Sequence, residues 1–203
     1  MHVLVCPAAG ATSSSDDAKV HLLHGVDVVA SIACTGTPTA LVGGRFVHPP
    51  HGSTKQTPPA TSALAVAFDD GSIACLGVEG ASFRWRSLLD AGGPVVHTLA
   101  TLPSCCCCAV PDAPAQASDA LLLAGEFAGV KLLQVGSGDS GGSGGGGGTT
   151  PLAAVHASAW VLNMATHADH GTTCGSGDCK LALVASDDSG NVGAWSIAAT
   201  HSS

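Results

Sequence analysis

Residues 181–197, Leu-Ala-Leu-Val-Ala-Ser-Asp-Asp-Ser-Gly-Asn-Val-Gly-Ala-Trp-Ser-Ile, read as two β-strands joined by a tight turn. Leu181, Leu183 and Ala185 alternate with Ala182, Val184 and Ser186, so both faces of the first strand are largely apolar, as in a strand covered on both sides. Asp188-Ser189-Gly190-Asn191 is turn chemistry, because glycine reaches positive φ without strain and an Asp carboxylate can accept from the backbone two residues on. Val192, Ala194 and Trp195 supply the returning strand.

Two earlier segments echo this hairpin. When Gly71, Gly129 and Gly190 are superposed, residues 62–76, 120–133 and 180–195 fall into line, at spacings of 58 (129 − 71) and 61 (190 − 129). A second landmark places Val95-Val96-His97 against Ala154-Val155-His156, with Val28 to Ile32 as an earlier copy. Self-similarity at a fixed period is the signature of propellers and solenoids.

Each unit runs as an apolar strand, a variable loop, a strand ending in small or acidic residues, a glycine turn, and a strand ending in an aromatic and a polar residue. This pattern resembles the WD-repeat β-propeller family. Asp187 to Ser196 carries the resemblance best, with Trp195-Ser196 at the place of the family's Trp-Asp pair. Leu133-Gln134 and Leu76-Gly77 stand there in the other copies, and no Gly-His pair opens a unit. The resemblance covers residues 60–197 and extends more weakly over residues 1–59. It implies an all-β fold, a partial β-propeller of about three to four antiparallel blades with low-complexity loop insertions. It also implies a non-catalytic protein–protein interaction scaffold, a subunit or fragment of a larger assembly that association with a partner would complete or cap. An unrelated all-β domain with recurring hairpins is the competing fold.

Four regions follow from this reading: residues 1–59 as a first repeat region with a Pro-rich loop, 60–135 as a two-hairpin repeat region, 136–150 as a Gly/Ser-rich linker, and 151–203 as the last repeat. Strands are expected near 2–5, 19–23, 28–34, 40–47, 62–68, 72–78, 82–88, 95–102, 120–127, 130–135, 155–163, 181–186 and 192–197. The second hairpin of the first region would pair 28–34 with 40–47. Residues 48–59, 104–118, 136–150 and 165–179 are expected as loops, and Trp85, Trp160 and Trp195 as packing anchors between units.

Composition limits the function classes. A net charge of −8 with only 7 Lys+Arg argues against a nucleic-acid partner, which needs clustered cations. Arg84-Trp85-Arg86 fits an alternating strand with one solvated face better than a base-stacking platform. No apolar run reaches the ~18–20 residues of a membrane span, and the N-terminal residues lack the basic start of a signal segment. Nine cysteines, four consecutive at Cys105 to Cys108, give no disulfide framework and read as reduced thiols. A cytoplasmic or nuclear location is therefore expected.

Two motifs invite chemistry. Gly138-Asp139-Ser140-Gly141-Gly142 resembles the nucleophile motif of trypsin-like serine proteases, but it dissolves into polyglycine, and His97 lies in Val-Val-His-Thr rather than the family's setting. A nucleophile must be held rigidly against its base, so no enzyme activity and no catalytic residue are expected. His167, His170, Cys174 and Cys179 offer four nitrogen and sulfur ligands, the number a tetrahedral Zn2+ takes. A metal-binding loop built on them is the alternative function, although H-x2-H-x3-C-x4-C matches no common finger and an inserted spacer explains it as well. Neither metal nor cofactor is assigned.

Overall fold

The computed structural model describes residues 2–6, 18–34, 36–47, 60–90, 93–102, 118–135, 149–169 and 180–198. All regular structure among them is β. Strands β1 (His2–Cys6), β2 (Lys19–His24) and β3 (Asp27–Ala33) form a first antiparallel sheet. Strands β4 (Pro38–Val47), β5 (Ala60–Phe68), β6 (Ile73–Glu79) and β7 (Ser82–Asp90) form a second. Strands β8 (Val96–Leu102), β9 (Ala120–Gly125), β10 (Phe127–Val135), β11 (Thr149–Asp169), β12 (Lys180–Asp187) and β13 (Val192–Ala198) form a six-stranded third. Every neighbour in each sheet is a neighbour in sequence.

The third sheet folds at β11. Residues 149–155 of this 21-residue strand pair with β10, Trp160 meets Ala128 and Gly129 of the same β10 after a register break, and residues 161–169 pair with β12. The chain is thus four layers deep: the first sheet, the second sheet, the β8–β10 arm with the start of β11, and the end of β11 with β12 and β13.

The last three layers repeat one another at the level of single hydrogen bonds. The Asp69 N–H donates to the Thr37 carbonyl at 2.9 Å, Glu126 N–H to Val95 at 2.8 Å, and Asp188 N–H to Trp160 at 2.9 Å. Each bond ties the turn after a layer's second strand to the start of its first strand. Six residues beyond those acceptors stand Gly43, Thr101 and Thr166. The Thr101 hydroxyl donates to Gly43 O at 3.3 Å, and the Thr166 hydroxyl donates to Thr101 O at 3.0 Å. First strands therefore lie beside one another in one register, layer after layer. Thr39 adds a hydroxyl bond to Val96 O at 2.6 Å, and the Asp119 carboxylate accepts from Arg45 N–H at 2.7 Å.

Packing between layers follows the period of two along each strand. On β5, Leu64, Val66 and Phe68 pack with Val20 and Ala18 of the first sheet's side, while Ala63, Ala65 and Ala67 pack with Leu121 and Leu123 of β9. On β9 the other set, Ala120, Leu122 and Ala124, packs with Val161, Leu183 and Ala185. Both faces of β5 and β9 are buried, which is why these strands are apolar without interruption. Small residues on one layer meet larger aliphatic ones on the next, so an Ala-rich strand still fills its interface.

Only two of the three aligned glycines are equivalent: Gly71 and Gly190 each stand two residues beyond Asp69 and Asp188 in the turn, whereas Gly129 stands three beyond Glu126, inside β10 at a register shift, because the turn of that layer is already made at Glu126. Gly71, Gly129 and Gly190 all have positive φ, at 78°, 89° and 80°. Gly71 has a second reason to be glycine, since a Cβ there would collide with Gly93 O.

The structure corrects several expectations. Strand β3 does not pair with β4: β3 closes the first sheet, and β4 pairs with β5 across the expected loop at 48–59, which lies outside the described residues. His97 and His156 are not equivalent. Val95 corresponds to Trp160, so His97 corresponds to Leu162, whereas His156 lies in the part of β11 that pairs with β10. Val28 belongs to a third strand, not a first one. Thr149 and Thr150, expected in the linker, begin β11, and residues 165–169, expected in a loop, end it, because β10 and β12 supply pairing partners there. Ser118, expected in a loop, is buried, with its hydroxyl on Arg45 O. The rest of the expected loops at 104–118, 136–150 and 165–179 lies outside the described residues.

Candidate interaction surfaces

Trp160 is not a buried anchor: it is 45% exposed, with its carbonyl rather than its ring engaged by Asp188. Trp195 is half-buried beside Leu183 and Ala185, and its ring lies so close to Gly193 that a Cβ there would collide with it. Trp85 is in β7, and its side chain lies outside the described residues.

The equivalent turns bring Asp69 and Asp70, Glu126, and Asp187 and Asp188 to the same end of successive layers. In two of them an Asp closes the turn. The Asp70 carboxylate accepts from Ser72 N–H at 2.8 Å. Asp187 accepts from the Ser189 and Asn191 backbones and from the Asn191 amide. Hydrogen bonds from the Ser72 side chain and backbone hold the Asp70 carboxyl below its ordinary range, and those from Asn191 do the same for Asp187. Both carboxylates are thus occupied with turn geometry; in the last hairpin the accepting residue is Asp187, one before the Asp188 at which the turn sequence places it. Asp69 accepts from Thr37 N–H at 3.0 Å, and Glu126 stands 3.9 Å from the His97 ring. Asp188 leaves its carboxylate exposed on this rim.

The sequence-predicted ligands are divided. His167 lies exposed on β11 opposite Ala182, whereas His170, Cys174 and Cys179 lie outside the described residues. So do Ser140 and Cys105 to Cys108. Among the described residues no three His, Cys, Asp or Glu side chains gather as a metal site. Cys75 is buried in the core, and desolvation pushes its thiol up to about 12, which leaves it neutral and unreactive at physiological pH. No helix among the described residues is long and apolar enough to cross a membrane.

The sequence reading expects open ends that a partner completes or caps, but it names none of the side chains exposed there. Among the described residues, the exposed large hydrophobic side chains are Val26, Val28 and Val29 in the first layer and Trp160, Leu162, Val184 and Val192 in the last. The described side chains of the two middle layers include none, with Trp160 at the junction, where it also pairs with β10. Strand β12 shows why: Leu183 and Ala185 are buried against β9, while Val184, between them, is 42% exposed. Its counterparts Ala65 and Leu122 are buried by a following layer. Compared with known protein families and with curated proteins, the chain matches none.

Proposed function

We propose that this chain is a non-catalytic protein-interaction scaffold of WD-repeat type, a run of propeller-like blades that works inside a larger assembly. The observation that carries the reading is the shared register of first strands: Thr101 bonds to Gly43 and Thr166 to Thr101, as adjacent blades around a common axis require. In such an architecture the turns after the second strands, with Asp69, Glu126 and Asp188, form one rim on which a partner carrying Lys and Arg would dock. Fold alone does not select the partner, so the rim's chemistry must.

The test is co-purification of the tagged full chain from its own cells, compared with an Asp188→Lys, Glu126→Lys variant whose fold is verified by circular dichroism. The scaffold reading expects a discrete set of proteins recovered with the native chain and depleted with the variant. The same set recovered with both would remove the rim from the account; recovery of none would remove the scaffold.

A further inference from the structure

We propose that a second copy of this chain docks head to tail, its first layer covering the last layer of its partner, so that two copies close into one ring. The inference rests on the scaffold reading and names its first partner. It starts from the alternation along the second strand of each layer. Ala63, Ala65 and Ala67 on β5 are buried by the layer that follows, and so are Ala120, Leu122 and Ala124 on β9. The corresponding residues of β12 are Ala182, Val184 and Ser186, and the described chain offers no layer to cover them. The last layer therefore presents, in register, the surface that two earlier layers bury. The hydroxyl ladder points the same way, because Thr166 O continues the series begun by Gly43 O and Thr101 O.

The occupant follows from where the apolar residues lie. Every exposed large hydrophobic side chain among the described residues belongs to the first layer or the last. A tail-to-tail pair would cover Val184 and Val192 but leave Val28 and Val29 in water. A head-to-tail pair covers both sets, twice over. On the first layer, His21 Nδ1 and the Ser31 hydroxyl already bond to each other at 2.7 Å, so of this pair burial leaves the His21 Nε2 to find a partner across the interface. Repeated head-to-tail contacts close into a ring when the rotation per layer fits, and two copies of four layers make eight, within the four to eight of closed propellers.

Sedimentation analysis of the full chain with Val184→Asp and Val28→Asp decides the matter; both positions are exposed, 42% and 56%, so the charges are tolerated in a monomer. The native chain is expected at twice its 19.7 kDa. Each variant alone is expected as a monomer, since every interface then includes one altered end. Mixed in equal amounts they are expected to recover association, because one variant's native first layer meets the other's native last layer. A native monomer with unchanged circular dichroism would overturn the pairing while leaving the layered scaffold standing. A Val28→Asp dimer would show tail-to-tail contact instead, open polymers would overturn closure, and a mixture that stays monomeric would overturn the head-to-tail geometry.

Discussion

The Thr166 side chain donates its hydroxyl to the carbonyl of Thr101, its own counterpart one layer earlier, at 3.0 Å. Thr101 in turn donates to Gly43. One residue type thus serves as donor and acceptor at a single position of the repeat, linking strands 65 residues apart in sequence.

Replacing Thr166 by Val keeps the shape and removes the donor. Urea unfolding should show a loss of about 1 kcal/mol, the usual net value of such a bond, with the slope unchanged. Thr166→Ser should restore most of it. A neutral Thr166→Val would mean that the hydroxyl bond adds nothing to layer contact.

The turn glycines should differ in cost. Gly190 has positive φ but open space around its Cα, so Gly190→Ala should cost about 1–2 kcal/mol from backbone strain alone. Gly71→Ala adds a collision with the Gly93 backbone and should cost distinctly more, read as a larger fall in midpoint. Equal effects would contradict the close approach of that turn to the next layer.

Asp187 should stabilise the last hairpin only while ionised. Its folded pKa lies below the ordinary value of 3.8, so its contribution is present above that value and is lost as pH falls through the folded one. Asp187→Ala should therefore cost stability at pH 7 and progressively less as pH falls below 3.8. A cost that does not change with pH would assign the residue's role to packing instead.

Cys75 predicts an alkaline limb. Burial raises its thiol from 9.0 to about 12, so the folded state keeps the neutral form and its advantage declines as pH rises from 9.0 toward 12. The slope is about 1.4 kcal/mol per pH unit. Subtracting the profile of Cys75→Ala should isolate this slope, and the native thiol should resist alkylation until the protein unfolds.

Most strands were legible because Leu121, Leu122 and Leu123, like Leu64 to Phe68, announce burial on both faces, and because Gly71 and Gly190 mark turns only glycine makes cheaply. What misled was the histidine landmark. Val-Val-His and Ala-Val-His look alike, yet β11 is long enough to serve two layers, and local sequence does not say where a strand changes partners. The threonine ladder was equally hidden, since Thr101 and Thr166 line up only once Val95 is matched to Trp160. Open ends were expected, but not which side chains they expose, because Val184 reads as buried wherever a following layer is assumed.

Nuclear Overhauser contacts between first strands test the layered register most directly. The Thr101 γ-methyl lies so close to Gly44 that a Cβ on that glycine would sit 2.9 Å from it. A methyl-labelled native chain should therefore show cross-peaks from the Thr101 methyl to the Gly44 α-protons, and from Thr166 to Thr101. A well-dispersed β-rich spectrum in which both are missing would show that the sheets do not stack through β4, β8 and β11.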